Sequence, residues 1–114
     1  GSNDKVLDKI LDILDRILRL ATRVIDLANK LLQVKKKSTH KDPRIVETYK
    51  ELLKIHETAV RLLLELADLH RRLKSKDEEA NKRVETELDR IRKKVKDIED
   101  KVRKLEDKVR KTAS

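Results

Sequence analysis

The side chains of this sequence best suited to chemistry are two imidazoles and a phenol: His56 and His70 share one heptad line with Tyr49, while His40 falls between helical stretches. A metal site on a helix needs donors at i and i+3 or i+4, so that two of them leave one face within reach of the same ion. His56 and His70 are about four turns apart, and neither has a second ligand at that spacing on the apolar face. Nucleophilic catalysis needs a hydroxyl or thiol activated by a neighbouring base. The chain has no Cys, and Ser38 and Ser75 lie where the helical pattern breaks. Gly1 is the single glycine, so a glycine-rich phosphate loop is absent. No catalytic, cofactor-binding or metal-binding residue is therefore expected, nor a small-molecule substrate; the chain does not read as an enzyme.

The elements that hold these groups are helices. After Asn3, a candidate N-cap, apolar residues recur at helical period as far as Val34. With Leu7 at heptad position a, one line holds Leu7, Leu14, Ala21 and Ala28, the next Ile10, Ile17, Val24 and Leu31, and a third Leu11, Leu18, Ile25 and Leu32. Val6, Ile13, Leu20, Leu27 and Val34 extend the same face. Four apolar positions in seven exceed the roughly three that a bundle helix uses.

Lys35 to Lys41 lose this period, include Ser38, Thr39 and His40, and read as a loop. Asp42-Pro43 restarts a helix, with Asp at the N-cap and Pro at the first helical position. The second helix carries the lines Ile45, Leu52, Ala59, Leu66; Val46, Leu53, Val60, Ala67; and Ile55, Leu62, Leu69. Its fourth line is Tyr49, His56, Leu63 and His70. Ser75 and Glu78 have the spacing of a capping box. A third helix follows, with the narrow seam Val84, Leu88, Ile91, Val95, Ile98, Val102, Leu105 and Val109. Its flanks are charged, with acid-first i,i+4 pairs such as Glu99/Arg103 and Glu106/Arg110.

The expected fold is all-α: an antiparallel up-down-up three-helix bundle, one domain over residues 1–114, with helices at about 3–36, 43–74 and 77–112. It is expected to form part of a larger helical assembly. Two wide faces and one narrow one do not match, and the third helix is too narrow to cover the first two.

Charged residues make up 46% of the chain and the hydrophobic set 37%, which is the composition of a long-helix bundle and not of a disordered chain. The net charge of +9 raises nucleic acid as a partner. The acids are interleaved with the bases, and Tyr49 is the only aromatic, so the one-sided basic stripe and stacking platforms of such proteins are missing. The longest apolar run, Leu62-Leu63-Leu64, is far short of the roughly 20 residues of a membrane span. Neither nucleic acid nor a membrane is an expected partner. Gly1-Ser2 reads as the scar of a removed tag, and a soluble chain is expected, cytoplasmic when produced recombinantly.

With an apolar inventory confined to Leu, Ile, Val and Ala, an Asp-Pro helix start and a Glu/Lys/Arg surface, the chain resembles computationally designed helical bundles over its whole length. The resemblance implies a synthetic assembly module without natural activity. Such bundles are often homo-oligomers or heterodimers whose pairing is set by buried hydrogen-bond networks. A homo-oligomer joined through the wide faces of the first two helices is favoured here, because closed self-association is the commoner outcome. The alternatives are one half of a heterodimer with an acidic partner chain, or a monomeric binder or scaffold.

The core and interface are expected to use Leu7, Leu14, Ile17, Leu18, Val24, Ile25 and Leu31 of the first helix, with Leu52, Leu53, Ile55, Val60, Leu62, Leu63 and Leu66 of the second. In an antiparallel hairpin, positions whose numbers sum to about 78 stand at the same height. Thr22 is then level with His56, Asn29 with Tyr49 and Asp8 with His70, and Asn81 comes near His70 across the second turn. Thr22, Asn29, Tyr49, His56 and His70 are read as buried polar groups that specify pairing, since an unpartnered buried donor or acceptor costs about 1 to 3 kcal/mol. The competing reading leaves His56 and His70 at a boundary, in contact with water.

Overall fold

The computed structural model describes residues 2–37, 42–73 and 76–113, and consists of α1 (Ser2–Lys37), α2 (Pro43–Arg72) and α3 (Glu78–Ala113). Each helix packs on both others, giving an up-down-up bundle of 62 × 18 × 16 Å in which α1 and α3 run parallel. The expected loop residues Ser38 to Lys41 and the expected cap Ser75 lie outside the described residues.

Local chemistry sets the helix ends. Asp42 is extended (φ −98°, ψ 113°), and its carboxylate accepts the Arg44 amide at 2.9 Å ahead of Pro43 at the first helical position. The Arg44 guanidinium folds back onto the same carboxylate at 2.9 Å. These side-chain and backbone hydrogen bonds hold the Asp42 carboxyl below its ordinary range. At α3 the residue before the helix is Asp77, whose side chain accepts the Ala80 amide at 3.1 Å and so caps the first turn. α1 starts at Ser2, ahead of the expected cap Asn3, and continues to Lys37, with Lys35, Lys36 and Lys37 in the last turn where cations complement the helix dipole.

All three helices send alternating three- and four-residue steps into one core. From α1 come Val6, Ile10, Ile13, Ile17, Leu20, Val24, Leu27 and Leu31; from α2 Ile45, Leu52, Ile55, Ala59, Leu62, Leu66 and Leu69; from α3 the whole expected seam from Val84 to Val109. Each buried Val, Leu or Ile contributes about 1.5 to 3 kcal/mol relative to exposure. The core is thus a three-stranded seam using two positions per heptad from each helix. Thr48 and Asn81 occupy the end positions of two of these lines and are buried. The Thr48 hydroxyl donates to the Arg44 carbonyl at 2.7 Å, which satisfies it within its own helix.

Ion pairs flank the seam. Lys9 binds Glu85 at 3.2 Å, and Arg16 and Arg23 grip Glu99 and Glu106 through two hydrogen bonds each, closing the side between α1 and α3. Glu65 of α2 and Arg90 of α3 stand 3.5 Å apart on the opposite flank. Glu99 and Glu106 thus reach across to α1 instead of serving the i,i+4 pairs expected of them, and Arg103 and Arg110 hold Asp100 and Asp107 at i,i+3. Hydrogen bonding from Arg23 holds the Glu106 carboxyl below its ordinary range, and Glu99 raises the Arg16 pKa in the same way. These pairs are 27–37% exposed, so each contributes no more than about 1 kcal/mol.

Candidate interaction face

The seam to α3 uses only half of the apolar surface that α1 and α2 carry. On α1 the Val6 and Ile10 lines point to α3, and the basic line Lys9, Arg16, Arg23 marks the flank beside it. The two remaining apolar lines therefore lie on the flank towards α2 and beyond. Leu7, Leu14, Ala21 and Ala28 are half-buried there, while Leu11, Leu18, Ile25 and Leu32 are exposed. α2 is the mirror case: Glu65 marks its α3 flank, Leu63 is half-buried towards α1, and Val46, Leu53 and Val60 are exposed beside Tyr49.

Register joins the two helices' surplus into one surface. Leu11 is level with Ala67, Leu18 with Val60, Ile25 with Leu53 and Leu32 with Val46, all summing to about 78. These lines point to the same side of the hairpin, away from α3. Leu11, Leu18, Ile25, Leu32, Val46, Tyr49, Leu53 and Val60 are each 40–59% exposed. Together they present roughly 700 Å² of apolar surface, above the roughly 300–600 Å² of the largest patch on an ordinary monomer and close to the roughly 800 Å² per partner of a standard interface.

The residues expected to line the core or an interface divide accordingly. Ile17, Val24, Leu31, Leu52, Ile55, Leu62 and Leu66 lie in the three-helix core; Leu7, Leu14 and Leu63 are half-buried at its edge; Leu18, Ile25, Leu53 and Val60 are on the open stripe. Val6, Ile13, Leu20 and Leu27, expected only to extend the first helix's face, are among its most deeply buried residues.

Thr22, Asn29, Tyr49, His56 and His70 are all exposed in the single chain. The Thr22 hydroxyl donates to the Leu18 carbonyl of its own helix at 3.1 Å. Among the described residues, no hydrogen bond joins Thr22 to His56, Asn29 to Tyr49 or Asp8 to His70. Asp8, Thr22 and Asn29 share a heptad line pointing almost directly away from the α3 core, so the matched heights come without a matched direction. What stands level with His56 and Tyr49 on the half-buried line of α1 is Ala21 and Ala28, small residues opposite large polar ones.

Among the described residues there is no group of three or more His, Cys, Asp or Glu that could hold a metal ion, and no helix is long and apolar enough to cross a membrane. The chain matches no protein-family model, and no curated protein or solved structure was found similar to it.

Proposed function

We propose that the chain is a designed assembly module that self-associates through the outer face of the α1–α2 hairpin, with α3 acting as a brace. The observation that carries this reading is the stripe of Leu18, Ile25, Leu53 and their neighbours, half exposed over four heptads and held at matching heights on two helices. A solvated helix face has no physical need for such a line, and α3 shows what one looks like: outside its seam it is charged. α3 seals the opposite face through a dry seam, three ion pairs to α1 and one to α2. It thereby fixes the spacing of α1 and α2 before any partner arrives, which lowers the ordering cost of association.

The net charge of +9 favours a second reading, in which an acidic helical partner occupies the same face. Light scattering on the purified chain separates the two. Self-association gives a particle heavier than the 13.4 kDa chain at about 100 µM. The double substitution Leu18→Glu with Ile25→Glu returns it to monomer at unchanged helicity. A wild-type chain that remains at monomer mass refutes self-association, and if it also binds an apolar dye, the face is left to a different partner.

A further inference from the structure

We propose that the second copy docks with the two-fold axis along the bundle, so that each α1 lies antiparallel to the partner's α2 and the two hairpins form a four-helix core with both α3 helices outside. This rests on the self-association reading and adds its geometry. A two-fold operation that brings the same face of two rods together has two simple forms. Either the rods run the same way, setting α1 against the partner's α2, or they run oppositely, setting α1 on α1 and α2 on α2.

Register favours the first form. Within one chain α1 and α2 already pack antiparallel with position numbers summing to about 78, and the open stripes have that same phase: Leu18 with Val60, Ile25 with Leu53. Docking α1 on the partner's α2 repeats a pairing the sequence already satisfies, and half-exposed apolar side chains meet at every level. The central layers then combine Leu14 with Leu63, Ala21 with His56, and Ala28 with Tyr49, each twice. Small residues next to large ones give layers that fill without overpacking.

The rim charges agree. Beside the stripe on α1 run Asp8, Asp15, Thr22, Asn29 and Lys36, and beside it on α2 run Lys50, Glu57, Leu64 and Arg71. The proposed docking sets Asp8 against Arg71, Asp15 against Leu64, Thr22 against Glu57 and Asn29 against Lys50: an ion pair, one charge beside an apolar side chain and two contacts between hydrogen-bonding groups, each made twice. The reversed docking also gives Asp8 an opposite charge, Lys36. It sets Lys50 beside Leu64, as the proposed docking sets Asp15 there, and it alone costs a Glu57 carboxylate facing its own copy. Like charges facing each other across an interface act as a selection against that arrangement.

Paired nitroxide labels test the geometry. The chain has no cysteine, so Lys5→Cys and Arg19→Cys give unique sites; both side chains are exposed and off the stripe. With the axis along the bundle, each label sits level with its own copy, and electron–electron distance measurements give similar values for the two variants. In the reversed docking the Lys5 labels separate by about 50 Å along the rod at 1.5 Å per residue, while the Arg19 labels stay close. A Lys5 distance about 25 Å longer than that of Arg19 overturns the proposed docking while leaving self-association intact. Monomer mass by light scattering with no dipolar signal overturns both. Trimeric or larger mass with several distances overturns the two-fold arrangement alone.

Discussion

Ile17 and Leu18 are adjacent, similar in size and similar in hydrophobicity, yet the first is 0% and the second 51% exposed. Substituting each by alanine therefore separates the core from the open face within a single turn. Ile17→Ala removes three carbons from a closed site. At about 0.8 kcal/mol per methylene this is about 2.4 kcal/mol, and the residual cavity brings the loss to about 3 to 4 kcal/mol. Leu18→Ala removes the same number of carbons from a half-wet site that water refills, so the transfer loss is halved to about 1 kcal/mol, slightly offset by the better helix propensity of alanine.

Guanidinium unfolding followed by circular dichroism, at a concentration low enough for the monomer to dominate, reads both. With a slope of about 3 kcal/mol/M, Ile17→Ala lowers the midpoint by about 1 M and Leu18→Ala by about 0.3 M or less. The gap narrows on raising the protein concentration, because association buries Leu18 and its truncation then weakens the assembled particle as well. Equal midpoint losses for the two variants at the lowest concentration would refute the assignment of Leu18 to an open face. A Leu18→Ala midpoint insensitive to concentration, in a wild type that does associate, would remove Leu18 from the interface.

The remaining predictions concern single groups. Glu106 is held below its ordinary pKa by Arg23, so its contribution is present above the unfolded glutamate value and is lost as pH falls through the folded one. The stability gap between wild type and Glu106→Gln, at most about 1 kcal/mol, is accordingly largest at neutral pH and closes towards pH 3 in denaturant titrations. Thr48→Val keeps the volume of a buried side chain and leaves the Arg44 carbonyl with its helical amide, so unfolding shows a change between zero and about 1 kcal/mol of stabilisation; a clear loss would mean that the hydroxyl serves another group. Asp42→Ala frees the Arg44 amide at the start of α2, and hydrogen exchange at Arg44 and Ile45 accelerates while exchange at Leu52 and Leu62 does not; Asp42→Ser restores the protection.

The helices and the α3 seam were legible because they rest on period and caps alone. Asp42-Pro43 announces α2 wherever it packs, and the seam from Val84 to Val109 has only one apolar edge to offer. On α1, period fixes the width of the apolar face but not its centre, and with four lines in seven any of several directions could meet α3. A further signal was present in the charges. Lys9, Arg16 and Arg23 form a basic heptad line on α1, and Glu85, Glu99 and Glu106 make a line on α3 acidic at all but Arg92, and such lines face each other only if the Val6 and Ile10 lines lie between the helices. Thr22 and Asn29 failed as partners within the hairpin for the same reason: height along a helix follows from residue number, whereas direction depends on which neighbour the face meets. The spacing of Ser75 and Glu78 passes over Asp77 as a cap, and only helix geometry shows its carboxylate accepting the Ala80 amide.

The division of α1 into a sealed half and an open half links the fold to its proposed role. Had the Leu11 line of α1 and the Val46 line of α2 been polar, the Val6 and Ile10 lines would still fill the seam with α2 and α3, because that seam asks for two positions per heptad and receives them. The open lines thus add to the folding of the single chain only what their half-covered surface gives, about 1 kcal/mol or less per residue, and in water they favour aggregation. Their spacing is nevertheless as regular as that of the core, and their neighbours Ala21 and Ala28 are small residues at the heights of His56 and Tyr49. Regular apolar spacing with so little work to do inside the monomer acquires a physical purpose once a second hairpin completes the layers. The fold of one chain and the assembly of two then draw on separate heptad positions of the same helix, so a substitution at Ile17 is felt first in stability and one at Ile25 first in association.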